Sequence, residues 1–359
     1  MSLAPARTHF LALPNMIYFN RILLSVALCL IVPAQAADYV LTPTRDDQKW
    51  LMPKQPVAPA DNRPTAARTA LGKSLFFDPR LSSDGNLSCA SCHSPLFGWS
   101  DGLPTARGSK SKLLERASPT IINTAYNRLQ MWDGRKITLE DQAMGPMESM
   151  DEMAMDLKLL FKWLNADPGY QAMFAKAYPG EPIDNKTLSK SLAAFERTVI
   201  STTSPFDRWV QGDRKAMTRQ QVIGFRLFSD PAKGNCVACH QAPNFTDNGF
   251  HNIGLASHDK SNPDVGRYAI KPVASMKGAF KTPTLRDIGT TAPYFHDGSA
   301  KTLADVVQHY NSGGVSKNDL SPNVKPLNLN AEEAAAIVAF MQALTSPAKP
   351  FTLPQMPPN

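Results

Sequence analysis

The pentapeptide C-x-x-C-H occurs twice in this 359-residue chain, as Cys89-Ala-Ser-Cys92-His93 and Cys236-Val-Ala-Cys239-His240, and no other feature restricts the fold as tightly. Two thiols three residues apart on one turn can each form a thioether with a vinyl group of haem, while the adjacent histidine turns its imidazole to the iron. The pattern predicts two covalently bound haems c, with His93 and His240 as iron ligands. A lone C-x-x-C also suits zinc or a redox disulfide, so the compartment has to decide.

Arg21 precedes an apolar run at 22–32, followed by Pro33 and Ala34-Gln35-Ala36. This is the basic flank, short apolar region and small-residue cleavage site of a secretory signal, and the run is too short for a comfortable membrane span. We expect a signal peptide at 1–36, cleavage before Ala37 and a periplasmic mature protein without a membrane span; an uncleaved anchor is the alternative. Cys29 would leave with the signal, so the other four of the five cysteines all belong to the two haem motifs. Removing Arg7 and Arg21 takes the formal charge from +7 to 7 − 2 = +5, and four haem propionates would offset most of it. No basic stripe suggests nucleic acid as a partner, although a modest positive face could steer an acidic protein.

Internal similarity follows the haem motifs. Gly72-Lys-Ser-Leu75-Phe76-Phe77-Asp78-Pro79 leads into the first, and Gly224-Phe-Arg-Leu227-Phe228-Ser-Asp230-Pro231 into the second. After the motifs come Pro119-Thr120, Trp132-Asp133-Gly134 and Thr138-Leu139, matched by Pro283-Thr284, His296-Asp297-Gly298 and Thr302-Leu303, every position offset by 164 residues. A duplicated haem domain is the expected reason. Apolar spacing of i, i+3, i+4, i+7 at Leu303, Val306, Val307, Tyr310 and at Ile337, Phe340, Met341, Leu344 predicts helices with one buried face, as it does over 66–77, 156–165, 186–200 and 219–228. Little reads as strand. Proline-punctuated segments at 38–64 and after Ser346 are expected to lie extended over the surface. The domain boundary is expected within 201–214, dividing the mature chain into 37–205 and 206–359.

Together L-F-F-D-P-R-L-S, both C-x-x-C-H motifs, M-W-D-G-R, P-T-L-R-D and T-A-P-Y-F-H-D-G, spread over 66–344, resemble the bacterial dihaem cytochrome c peroxidases and their MauG-like relatives. The resemblance implies a mostly α fold of two cytochrome c-like domains with long loops: an N-terminal domain whose haem reacts with H2O2 to form a high-valent iron species, and a C-terminal domain whose haem transfers electrons. The family's distal glutamine and glutamate, counted from Trp132, fall on Gln142 and Glu152. Glu152 would move the proton of peroxide, Gln142 would orient it, Pro146 would lie on the distal side of the first haem, and Trp132 would relay electrons between the haems. Read without the family, Ser149-Met-Asp-Glu152 has the form of a capping box opening the next helix, Gln142 that of a solvated helix residue, and Trp132 that of a packing aromatic.

Two departures from ordinary members bear on the subtype. The position of their distal histidine, sixteen residues after His93, is Ser109, and no histidine lies between Ser94 and Cys239; the first haem is expected to be open without prior reduction. Their methionine ligand to the second iron, fourteen residues after the histidine of H-D-G, maps to Tyr310, where MauG-like enzymes use tyrosine. A phenolate favours the higher oxidation states. His309, Met276 and His251 are lesser candidates, and a core tyrosine is the bland reading. The family's calcium would be held partly by the carbonyls of Thr291 and Pro293, but its asparagine ligand maps to Ala117. Gly234 stands where MauG itself has a surface tryptophan for its protein substrate. The expected function is therefore oxidation by H2O2 of a donor, either a small cytochrome c or cupredoxin or a residue of a partner protein, with a non-catalytic dihaem electron carrier as the alternative.

Overall fold

Helix caps written into the sequence set most element starts. The computed structural model describes residues 39–357; the expected signal peptide and its cleavage point lie outside them. Among the described residues are ten α-helices: α1 (Ala66–Phe77), α2 (Cys89–Cys92), α3 (Leu139–Glu148), α4 (Leu157–Leu164), α5 (Pro168–Ala177), α6 (Asn185–Glu196), α7 (Pro205–Val210), α8 (Arg219–Ser229), α9 (Leu303–Asn311) and α10 (Ala331–Gln342). Thr65, Thr138 and Asp167 each accept a backbone N–H of the first turn. Reciprocal capping boxes join Asp184 to Thr187, Thr218 to Gln221, Thr302 to Asp305 and Asn330 to Glu333. Each such cap contributes about 1 kcal/mol. Among the described residues the only sheet has two residues per strand, β1 (Phe250–His251) antiparallel to β2 (Phe280–Lys281).

Apolar side chains gather into two cores. Leu71, Leu75, Phe76, Leu160, Leu188 and Leu192 belong to the first, on α1, α4 and α6; Phe206, Trp209, Phe225, Phe228 and Phe340 belong to the second, on α7, α8 and α10. Helix α1 crosses α6 at Gly72, where a Cβ would stand 1.9 Å from the Ser191 carbonyl oxygen, and α8 crosses α10 at Gly224, where it would stand 1.9 Å from that of Ala336. Glycine is required at both crossings because the backbones touch.

Periodicity finds α1, α4, α6, α8 and α9 within a few residues and the C-terminal part of α10, but not α3, α5 or α7. In α3 the cause is Pro146, which has no N–H to give the Gln142 carbonyl and breaks the apolar pattern near the helix end. The segment 201–214 is more than turns: it holds α7, with Phe206, Trp209 and Val210 buried in the second core. The two proline-rich ends also depart from a simple surface course. Trp50 is only 3 % exposed and joins the second core, and Phe351 packs on the first. No helix among the described residues is long and apolar enough to cross a membrane.

Candidate active site

A cavity of about 810 Å3 reaches both C-x-x-C-H motifs. Helix α2 carries Cys89 and Cys92 on one turn, with His93 as its C-cap residue; Cys236 opens a short 3-10 turn that brings Cys239 and His240 to the second end. His93 Nδ1 lies 3.4 Å from the Trp99 carbonyl and His240 Nδ1 lies 2.8 Å from that of Phe245. A carbonyl can only accept, so Nδ1 carries the hydrogen in each ring and Nε2 keeps the lone pair that a metal needs. Burial lowers both histidines' pKa, favouring the neutral ligand form. Burial likewise pushes the Cys92 thiol up to about 11 and Cys236 up to about 12.

This donor set fits haem c better than zinc. Neither motif gathers its own two thiols and imidazole around one point. The only group of three possible metal donors among the described residues is Cys239, Asp247 and His251, and there His251 Nε2 is already paired with Asp247 at 2.7 Å.

The distal candidates come from α3 and the turn after it. Gln142, Pro146 and Glu152 all line the cavity. Glu152 does not open α4: the N-cap there is Asp156, which accepts from Lys158 and Leu159, while Ser149 closes α3. The capping-box reading of Glu152 is thus corrected. Instead its backbone is clamped, donating to the Ser149 carbonyl at 3.0 Å and accepting from Ser109 N at 2.7 Å. Its carboxyl is raised above the ordinary glutamate value, because burial outweighs the nearby Arg135 and the Ser149 hydroxyl. Ser109 itself is buried beside it.

Between the two ends, Trp132 Nε1 donates to the Ala117 carbonyl at 2.9 Å, and its own carbonyl accepts from Lys281 N at 2.7 Å. Its ring meets His296 edge-on at 6.3 Å. Tyr310, on α9, lines the cavity, and its hydroxyl has no hydrogen-bond partner among the described residues, unlike a satisfied core tyrosine. Burial pushes this phenol up. His309 is committed elsewhere, Nε2 to the Ile253 carbonyl at 2.8 Å, His251 is tied to Asp247, and Met276 does not line the cavity. Thr291 and Pro293 do line it, but Ala117 offers a calcium ion only a methyl side chain where the family has asparagine.

Sequence reasoning missed Glu196 and Lys281, two buried charged residues of the cavity. Glu196 is 5 % exposed and burial pushes its carboxyl up to about 8, Arg197 opposing and Glu140 adding to the shift. Lys281 is 8 % exposed and lowered to about 8, chiefly by burial. Charged residue types on apolar elements were the signal, but only the fold reveals their burial.

Residues 66–215 match the family model for di-haem cytochrome c peroxidase. The methylamine utilization protein MauG of Methylophilus methylotrophus is 41% identical over 312 residues, covering 86% of this chain and 92% of that one. A cytochrome c551 peroxidase of Nitrosomonas europaea is 35% identical over 309 residues, 86% of this chain and 88% of the relative. The crystal structure of a MauG-like protein associated with microbial copper homeostasis superposes with a TM-score of 0.77 at 31% identity, covering 83% of this chain and 95% of that chain. The chain therefore belongs to the di-haem cytochrome c peroxidase and MauG family, oxidoreductases that act on peroxide with two haems c.

Proposed function

We propose that the protein is a MauG-like dihaem c enzyme of the periplasm, in which H2O2 is reduced at the N-terminal end of the cavity and two electrons are drawn from a donor through the C-terminal end. The observation that carries this is that Glu152 and Gln142 line the same cavity as His93, with Ser109 where ordinary members place a histidine. Bound haem supplies the iron at which peroxide is cleaved and the two centres over which oxidising equivalents are shared. His93 and His240 would hold the irons from Nε2, with Tyr310 Oη as the second ligand at the C-terminal end.

The side chains move protons and set geometry. The Glu152 carboxylate takes the proton from one peroxide oxygen and returns it to the other, which departs as water. The Gln142 amide presents both a donor and an acceptor and can fix the peroxide axis. Trp132, bonded to Ala117 on one side and to β2 on the other, is placed to carry electrons between the ends. Tyr310 is half-buried with a free hydroxyl, and its surroundings raise the phenol, so a cation beside it would favour its ionised form.

Internal duplication belongs to the same reading. Asn123 and Asp287, 164 residues apart, both have left-handed backbones, at φ 58° and 56°. Each accepts a backbone N–H from the chain beyond a long helix, Ser201 N at 2.9 Å and Ser346 N at 2.6 Å. The bridges Gln130 to Lys136 and Tyr294 to Ala300 repeat at the same offset. So do Pro146 on α3 and Tyr310 on α9, each eight residues into its helix, which supports Tyr310 as a distal residue. It also supports 37–205 and 206–359 as the two haem domains. The donor is either a small redox protein or a residue of a partner protein; Gly234 argues against the route MauG uses.

Glu152→Gln tests the assignment. Both haems should load, and the rate of reaction with H2O2 should fall by about 10²- to 10⁴-fold, the usual range for a lost general acid–base. An unchanged rate in stopped-flow mixing would refute the proton-transfer role.

A further inference from the structure

The two ends of the described chain cross over, and each finishes behind the haem site of the other half. Trp50 follows the N-terminal segment yet stacks on Phe245 of the second half, with ring centroids 4.5 Å apart and planes inclined by 28°. Phe351 follows α10 yet packs edge-on against Trp99 of the first half at 5.4 Å and stacks on Phe77 at 5.2 Å. Phe245 and Trp99 are the two residues whose carbonyls accept from the Nδ1 of His240 and His93.

Both acceptors hold a backbone conformation that bulky residues avoid, φ 54° at Phe245 and 60° at Trp99. Such a residue is strained and persists only where its surroundings hold it. At Phe245 the ring is held between Trp50 and the Arg286 guanidinium, 5.1 Å from its centroid. Arg286 in turn binds the Trp50 carbonyl at 2.7 Å. At Trp99 the ring meets Phe76, Phe77 and Phe195 as well as Phe351, which is the nearest of the four at 5.4 Å. Phe351 is half-buried and is fixed partly by Lys73, whose ammonium lies 4.4 Å over its ring. The Trp99 carbonyl is also shared, accepting from Ile121 N at 3.2 Å as well as from His93.

We propose that Trp50 and Phe351 are positioning residues acting in a crossed sense: the N-terminal segment fixes the carbonyl that orients His240, and the C-terminal segment fixes the carbonyl that orients His93. A hydrogen bond from Nδ1 makes the imidazole a stronger donor to iron, so each terminal segment tunes the haem of the opposite half. The proposal rests on His93 and His240 being the iron ligands.

The test uses the holoprotein. In Phe351→Ala the iron–histidine stretching band of the reduced first haem in resonance Raman should move to lower frequency and that haem's midpoint potential should rise, while the electron paramagnetic resonance g-values of the second haem stay fixed. Phe351→Tyr, which keeps the ring, should restore the wild-type band. Trp50→Leu should do the converse, moving the g-values and potential of the second haem and leaving the first-haem band alone; if its buried site prevents folding, the Phe351 pair decides alone. An unmoved band and potential in Phe351→Ala, or a shift confined to the second haem, would overturn the crossed arrangement. Absence of any iron–histidine band in the wild-type protein would instead remove the ligand assignment beneath it.

Discussion

Glu152 and Glu196 face one cavity, yet their surroundings give them different tasks. Glu152 has Arg135 and the Ser149 hydroxyl to favour its ionised form, so burial raises it only part of the way. Its carboxylate is the form that accepts the peroxide proton. The rate should therefore fall as pH drops through its raised pKa, with an acid limb above the ordinary glutamate range that disappears in Glu152→Gln; a pH–rate profile on both proteins reads this. Glu196 has weaker help, because Arg197 opposes its rise only through space and gives its guanidinium to Glu140 in two bonds of 2.8 and 3.0 Å. With the carboxyl at about 8 in the fold and about 4.3 in an unfolded chain, the native state holds the extra proton between those values. Stability should then be fully present at pH 4 and decline as pH rises toward 8. Glu196→Gln should flatten that decline in thermal unfolding followed from pH 5 to 8.

Among elements, the paired helix crossings carry the heaviest packing constraint. Gly72→Ala puts a methyl carbon against the Ser191 carbonyl, and Gly224→Ala does the same at Ala336, so either helix pair must separate. Each change should cost about 1–3 kcal/mol or more by overpacking, with similar losses of denaturant midpoint in the two variants if the crossings are true repeats. These helices were legible in the sequence because an apolar stripe and a cap are local signals. Helix α3 was not, since Pro146 interrupts its pattern, and the family count rather than periodicity placed Gln142 and Pro146. The haem-binding turns were legible for a different reason: C-x-x-C-H states its own chemistry. Trp50 and Phe351 carried no local signal at all, since their partners lie about 195 and 252 positions away in the chain and only folding brings them together.

On the scale of the whole molecule, the halves meet through charge as well as through Trp132. Arg116 binds Asp264 with two bonds, 2.6 and 2.9 Å, and Asp133 with a third of 2.7 Å. Arg267 reaches back to the carbonyls of Asp133 and Gly134, both at 2.8 Å. Asp264→Asn removes one charged arm and leaves Arg116 paired with Asp133. Because the cluster is partly exposed, the loss should be modest, about 1–2 kcal/mol, read as a lower denaturant midpoint with both haems retained. What joins these scales is an asymmetry between the ends of one cavity: acid–base residues and a serine in place of a distal histidine at the first, a phenol with a free hydroxyl at the second. Mixing the fully oxidised protein with one equivalent of H2O2, while recording visible and near-infrared spectra, tests it directly. Rapid change at both haems is expected without prior reduction; a spectrum that stays fixed until an electron is added would contradict an open first site.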